Sequence, residues 1–147
     1  MKRLLVLLLL TSCATGPQRR IIATENAPKA LAVYSQGVQV GDALYLAGQI
    51  GLDPATRKLV EGGVQAETRR AIENCKAVLE AAGYSLKDVV QVQVFLVSID
   101  DYQAMNQVYA TYFQESPPAR AALAVAALPG GASVEILMTA VKGKSEP

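Results

Sequence analysis

Two runs near the C-terminus constrain this chain most. Residues 120–127 and 133–141 are apolar at most positions, and each carries one charge, Arg120 in the first and Glu135 in the second. Strands that are apolar on both faces have to be covered on both. The sequence upstream supplies two helical patterns, and two helices cover only one face of a sheet. The other face is therefore expected to meet another subunit, so a homo-oligomer follows from patterning alone. The two charges stand out because charged side chains are seldom buried without a partner or a task.

The rest of the chain punctuates clearly. Residues 31–40 alternate loosely, Gly41-Asp42 follows, and residues 43–50 form a second strand run, which together read as a hairpin. Residues 53–63 hold Pro and Gly punctuation and read as a loop. A helix is predicted over 65–82, with Ile72, Cys75, Val78, Leu79 and Ala82 on one face and Glu67, Arg69, Arg70, Glu73 and Glu80 covering the rest. Gly83 ends it. Residues 89–97 form a strand with Val90, Val92, Val94 and Leu96 on one face and Gln91 and Gln93 on the other. Ser98 and Asp101 make a capping-box-like start to a second helix, which runs to about Phe113 with Tyr102, Met105, Tyr109 and Phe113 facing the core. Residues 114–118 break it. The order is β-β-α-β-α-β-β, an α+β domain over residues 21–143 with a frayed tail at 144–147.

Composition narrows the chemistry. The chain has 147 residues, a net charge of +1, no tryptophan and no histidine. Scattered charges and few aromatics argue against a nucleic-acid partner. Without histidine, the commonest general acid/base and the commonest metal ligand are both missing. Chemistry falls to Arg, Glu, Tyr, Asn, backbone groups and water, a set that suits gripping a small carboxylate and steering a water.

The N-terminus reads as an export signal. Lys2 and Arg3 precede an unbroken apolar run from Leu4 to Leu10, then Thr11, Ser12 and Cys13. Seven apolar residues are too few for a spanning helix, which needs about 20. The Leu-Thr-Ser-Cys end resembles a bacterial lipobox, which implies cleavage after residue 12, a lipid on Cys13, a tether over 13–20 and a periplasm-facing position at the outer membrane. An ordinary secretory signal or a start codon chosen too early are the alternatives, the latter leaving the protein cytoplasmic. With Cys13 lipidated, Cys75 has no intramolecular partner, and it reads as a small buried apolar residue.

Ile22-Ala23-Thr24-Glu25-Asn26-Ala27-Pro28, Tyr34-Ser35-Gln36-Gly37, Ala47-Gly48-Gln49-Ile50, the Asn106 helix, Pro118-Ala119-Arg120 and Val134-Glu135-Ile136 together resemble the RidA (YjgF) family of reactive-intermediate deaminases. The resemblance runs from Ile21 to Val141. It implies a chorismate-mutase-like fold, with two helices on one face of a mostly antiparallel sheet, and a homotrimer with active sites between subunits. It also implies that the last two strands are not a simple hairpin. The implied activity is hydrolysis of enamines and imines derived from amino acids, such as 2-aminoacrylate and its tautomer 2-iminopropionate, to a 2-keto acid and ammonia, with no metal or other cofactor.

By position in that family, Arg120 matches the carboxylate-binding arginine, whose planar fork holds both oxygens. Glu135 matches the glutamate that holds the attacking water, and Tyr34 the tyrosine that closes the pocket. Asn106 matches a helix asparagine near the site, and Gly48 a glycine whose backbone lies against the ligand. Ala122 stands where many members have a cysteine whose backbone helps place the water, and Ala47 replaces a small hydroxyl residue. Each position has a structural alternative: an ion pair for Arg120 and Glu135, core packing for Tyr34, helix packing for Asn106, a bulge for Gly48. A trimeric module that binds small carboxylates or acts as a holdase without turnover is a second functional reading, and an endoribonuclease a third.

Overall fold

The computed structural model describes residue 16 and residues 18–143. Residues 1–13, which carry the export-signal and lipidation expectations, and the tail 144–147 lie outside the described residues.

Among the described residues, seven strands and two α-helices form the fold. The strands are β1 (Arg19–Ile22), β2 (Gly37–Val40), β3 (Ala43–Leu46), β4 (Gln49–Ile50), β5 (Val89–Leu96), β6 (Ala119–Ala124) and β7 (Val134–Val141). The helices are α1 (Gly63–Ala81) and α2 (Tyr102–Tyr109). They form one sheet in the order β1-β2-β3-β7-β5-β6, with β4 also paired to β7. Every pairing is antiparallel except β5 with β6. The last two strands in sequence do not pair with each other, since β5 lies between them. The hairpin around Gly41-Asp42 forms as expected, with Val40 opposite Ala43.

The helices share one face of the sheet. Strand β7 alternates strictly, with Val134, Ile136, Met138 and Ala140 buried toward the helices and Glu135, Leu137 and Thr139 on the other side. Leu44, Ile72, Leu79, Leu96, Met105 and Ile136 are among the fully buried side chains of this core. Each contributes roughly 1.5–3 kcal/mol through apolar burial. The opposite face carries Tyr45, Leu123 and Ile21, all more than half exposed in a single copy.

Several expectations need correction. Strand β1 takes in Arg19 and Arg20, read above as tether, because their backbone pairs with Val40 and Gln39. Residues 31–36 are not a strand; they form a loop pinned by Gln36, and the hairpin strand begins only at Gly37. Val90 is exposed, and Val89 takes the buried position, because the register of β5 on β7 slips between Val89 and Gln91. A one-residue slip moves side chains to the other face. Helix α2 ends at Tyr109 rather than near Phe113, although Phe113 stays buried. Ser98 accepts a hydrogen bond from the Asp100 backbone and opens a short 3₁₀ turn, and the capping box sits instead at Ser85 and Asp88. Glu67 is buried rather than on the outer face of α1.

Candidate active site

Arg120 lies on β6, an edge strand, in register with the buried Val92. Residues in register share a face, so its side chain lies on the helix side. There its guanidinium carbon sits 4.5 Å from the ring centroid of Tyr109 and 5.8 Å from that of Tyr102. Arg120 Nη2 donates to the Tyr102 hydroxyl at 3.3 Å. The Tyr109 ring in turn stacks on Phe113, with centroids 4.6 Å apart. Among the described residues no carboxylate pairs with Arg120.

Asn106 stands one helical turn from both Tyr102 and Tyr109. Its hydrogen bond to Tyr102, and then the charge of Arg120, hold the Tyr102 hydroxyl below the usual tyrosine range. Burial pushes Tyr109 up to about 12 despite the opposing charge of Arg120. Asn106, Tyr109, Phe113, Pro117, Pro118 and Arg120 line an open cleft of about 360 Å³. Ala122 follows on the same face of β6, opposite Val94, and packs against the core.

Glu135 lies on the opposite face of the sheet. Its register partners are Phe95 on β5 and Ile50 on β4. Burial raises its carboxyl above the ordinary glutamate range. The link between β3 and β4 passes over it so closely that a Cβ at Gly48 would come within 2.7 Å of Glu135 Cδ and 3.0 Å of its Cγ. Ordinary contacts are longer, so position 48 has room only for hydrogen while the carboxylate lies there.

Tyr34 joins this second group through the backbone. Ala47 N donates to Gln36 O at 2.9 Å, which ties the 34–36 segment to the residue before Gly48. The Tyr34 ring is half exposed, and its hydroxyl accepts from Leu31 N at 3.3 Å. With Thr24, Glu25, Lys29 and Gln36 it lines a cavity of about 490 Å³. So Tyr34 is not ordinary core.

One copy therefore holds two separate groups: Arg120, Asn106 and Ala122 on one face, and Glu135 beneath Gly48 on the other, with Tyr34 tied to the second only through the backbone bond from Ala47 to Gln36. Arg120 shares its row with Val92, while Glu135 shares its row with Phe95 three positions further along, on the second strand over. That offset is roughly 10 Å along the strands and roughly 10 Å across them, with the sheet between. Residue typing did not single out the aromatic platform under Arg120. The spacing of Tyr102, Asn106 and Tyr109 could have found it, since these positions form one stripe on a helix.

The sequence profile of the family described as Endoribonuclease L-PSP matches residues 24–142. Among curated proteins, a 2-iminobutanoate/2-iminopropanoate deaminase of Mus musculus is 48% identical over 125 residues, covering 85% of this chain and 93% of that protein. A RutC family protein of Pyrococcus horikoshii is 49% identical over 124 residues, covering 84% of this chain and 98% of that protein. Among solved structures, RidA from an Antarctic Psychrobacter superposes with a TM-score of 0.81 at 45% identity, covering 84% of this chain and 99% of that one.

Proposed function

We infer, for a chain that belongs to the endoribonuclease L-PSP family, that it is an enamine/imine deaminase, converting imines of the 2-iminopropanoate type to a 2-keto acid and ammonia. The observation that carries this reading is the pair of uncommitted charges. Arg120 has a fixed guanidinium and no carboxylate partner among the described residues. Glu135 has a desolvated carboxylate raised above its ordinary range. The first suits a substrate carboxylate, and the second a water to be deprotonated.

The steps balance with these groups alone. Arg120 binds the substrate carboxylate through two parallel N–H donors and so orients the imine carbon. Glu135 holds a water, accepts one of its protons as the water oxygen bonds to that carbon, and passes that proton to the imine nitrogen. The resulting carbinolamine collapses: Glu135 takes the hydroxyl proton and delivers it to the nitrogen, the C–N bond breaks as the keto C=O forms, and ammonia departs from the keto acid. Tyr34 closes the pocket, Asn106 orients the substrate end held by Arg120, the Ala122 backbone helps place the water, and the Gly48 backbone lies against the ligand. Positioning of this kind lowers barriers by several kcal/mol, up to about 7–11 in well-oriented systems.

Because the two groups lie on opposite faces, one copy does not complete the site. A homotrimer that seats the open face of one copy against the β6 edge of the next would bring Glu135, Gly48 and Tyr34 of the first to Arg120, Asn106 and Ala122 of the second. The exposed Tyr45, Leu123 and Ile21 on that face favour such an assembly. Export and lipid attachment at Cys13 remain part of the reading on the sequence of residues 1–13. Incorporation of labelled palmitate, lost in Cys13→Ser, tests them.

The test of activity is an assay of the purified protein against imines generated in place by an amino-acid oxidase. Keto-acid release above the spontaneous background, abolished in Glu135→Ala while a 2-keto acid still binds, supports the reading. Undiminished turnover by Glu135→Ala refutes it. Retained binding with no turnover by the unaltered protein favours the carboxylate-binding module.

A further inference from the structure

Glu67 is a buried carboxylate that the proposed reaction does not use. It lies on the inner face of α1 at 6% exposure. Both of its oxygens are held by one residue: Ser133 N donates to Oε2 at 2.7 Å, and Ser133 Oγ donates to Oε1 at 2.9 Å. Among the described residues no lysine or arginine pairs with it. A buried carboxylate is seldom found without a cation beside it, and here the two donors of Ser133 are what satisfy it. Its value has to be sought in what it holds in place.

What it holds lies on both sides of Glu135. Ser133 is the residue before β7, two positions ahead of Glu135, and its carbonyl also accepts from Val97 N at 3.1 Å. On the other side, Gly51 follows Ile50, the β4 residue in register with Glu135. A Cβ at Gly51 would come within 2.7 Å of both Glu67 Cα and Glu67 Cβ, so the helix backbone at Glu67 rests directly on this strand end. Two turns further along α1, Asn74 Nδ2 donates to Ile50 O at 3.1 Å and Leu52 O at 2.8 Å. Helix α1 thus grips β4 and the start of β7 through polar contacts, in a region where apolar packing alone would leave the strand ends free to slide.

We propose that Glu67 is a positioning residue for Glu135: by clamping Ser133 at both its amide and its hydroxyl, it sets where β7 begins and hence where the Glu135 carboxylate sits beneath Gly48. This rests on the reading of Glu135 as the water-holding group. Glu67 itself touches neither substrate nor water.

The test is a double-mutant cycle on the full chain, with kcat and KM measured on an imine generated in place and melting temperature recorded for every variant. Glu67→Ala is expected to lower kcat by about tenfold with KM little changed, as a small misplacement of a reacting group does. Glu67→Gln keeps one acceptor for Ser133 and is expected to recover most of that loss. In a Glu135→Gln background, Glu67→Ala should change the residual rate by less than about twofold, the scatter of independent sites. Equal loss in both backgrounds, or a fall in melting temperature with kcat intact, would overturn the proposal. If Glu67→Ala does not fold, Ser133→Ala, which removes one of the two donors, runs the same cycle with the same outcomes. Full turnover by Glu135→Gln alone would overturn the reading of Glu135 and this proposal with it, whereas its loss together with additive effects overturns this proposal only.

Discussion

The carboxylate of Glu135 occupies the space that a side chain at position 48 would need. A Cβ built on Gly48 meets Glu135 Cδ at 2.7 Å, with the carboxylate oxygen closer still. The contact is to the far end of a side chain, so Gly48→Ala is expected to fold, displacing the carboxylate rather than the backbone. The cost in stability should be about 1–3 kcal/mol, that of modest overpacking. The loss in turnover should be larger in proportion, because the displaced group is the one that steers the water. Urea unfolding and steady-state rates on the same preparation check this. A variant as active as the parent would mean that the position of Glu135 does not matter.

The same carboxylate sets a pH dependence. Burial raises the Glu135 pKa in the folded protein above its unfolded value. Between those two values the folded state binds more protons than the unfolded one, so stability falls as pH rises through that window. The contribution is most favourable below the ordinary glutamate pKa and fully lost above the raised one. Glu135→Gln lacks this titration. The parent protein should therefore gain stability relative to Glu135→Gln as pH falls through the weakly acidic range, read from urea midpoints at a series of pH values. Turnover should move the opposite way, falling on the acid side at a higher pH than an ordinary glutamate would give. A stability difference that grows with rising pH would contradict the burial of this group.

The platform under Arg120 separates two roles of one tyrosine. The Tyr109 hydroxyl is buried without a hydrogen-bond partner among the described residues, and an unmet buried hydroxyl costs about 1–3 kcal/mol. The ring, in contrast, carries the guanidinium at 4.5 Å. Tyr109→Phe should therefore be as stable as the parent or more so, with binding of pyruvate unchanged. Tyr109→Leu removes a cation–π contact of about 0.5–2 kcal/mol and frees the guanidinium to move. Its pyruvate Kd should rise several-fold. Calorimetric titration distinguishes the two, and equal Kd values would show that the ring does not orient Arg120.

How far the sequence spoke depended on whether a signal was local. The hairpin turn at Gly41-Asp42, the span of α1 and the existence of the strand at 133–141 are written in short-range spacing, and all three formed. The buried face of β5 was not readable, because Val89, Val90, Val92 and Val94 fit two registers and only pairing with β7 chooses between them. Glu67 was misplaced for a different reason. Stepping back from Cys75 through Ala71 by fours reaches it, but charge type was allowed to outweigh periodicity, and its partner Ser133 is 66 residues away. The separation of Arg120 from Glu135 onto opposite faces is likewise a matter of register, since both strands read as apolar on both sides.

Gln36 anchors the loop that carries Tyr34, and its removal gives a test that does not depend on turnover. The side chain is 4% exposed. Its Oε1 accepts from Thr24 N at 2.6 Å, and its Nε2 faces the carbonyls of Thr24, Ala27 and Pro28 at 3.0, 3.2 and 2.9 Å. One amide therefore holds both ends of the 24–28 turn, in place of the sheet ladder that residues 31–36 do not form. Gln36→Ala leaves a buried amide and several carbonyls without partners, at about 1–3 kcal/mol for each group that water cannot reach. The backbone bond from Ala47 N to Gln36 O survives the substitution, so the link to Gly48 should persist while the turn loosens. Hydrogen exchange should then speed up at Thr24 and neighbouring amides, with β7 and α1 unchanged. Tyr34 should lose its fixed position, raising KM more than it lowers kcat. Unaltered exchange at Thr24 would show that the turn is held by other contacts.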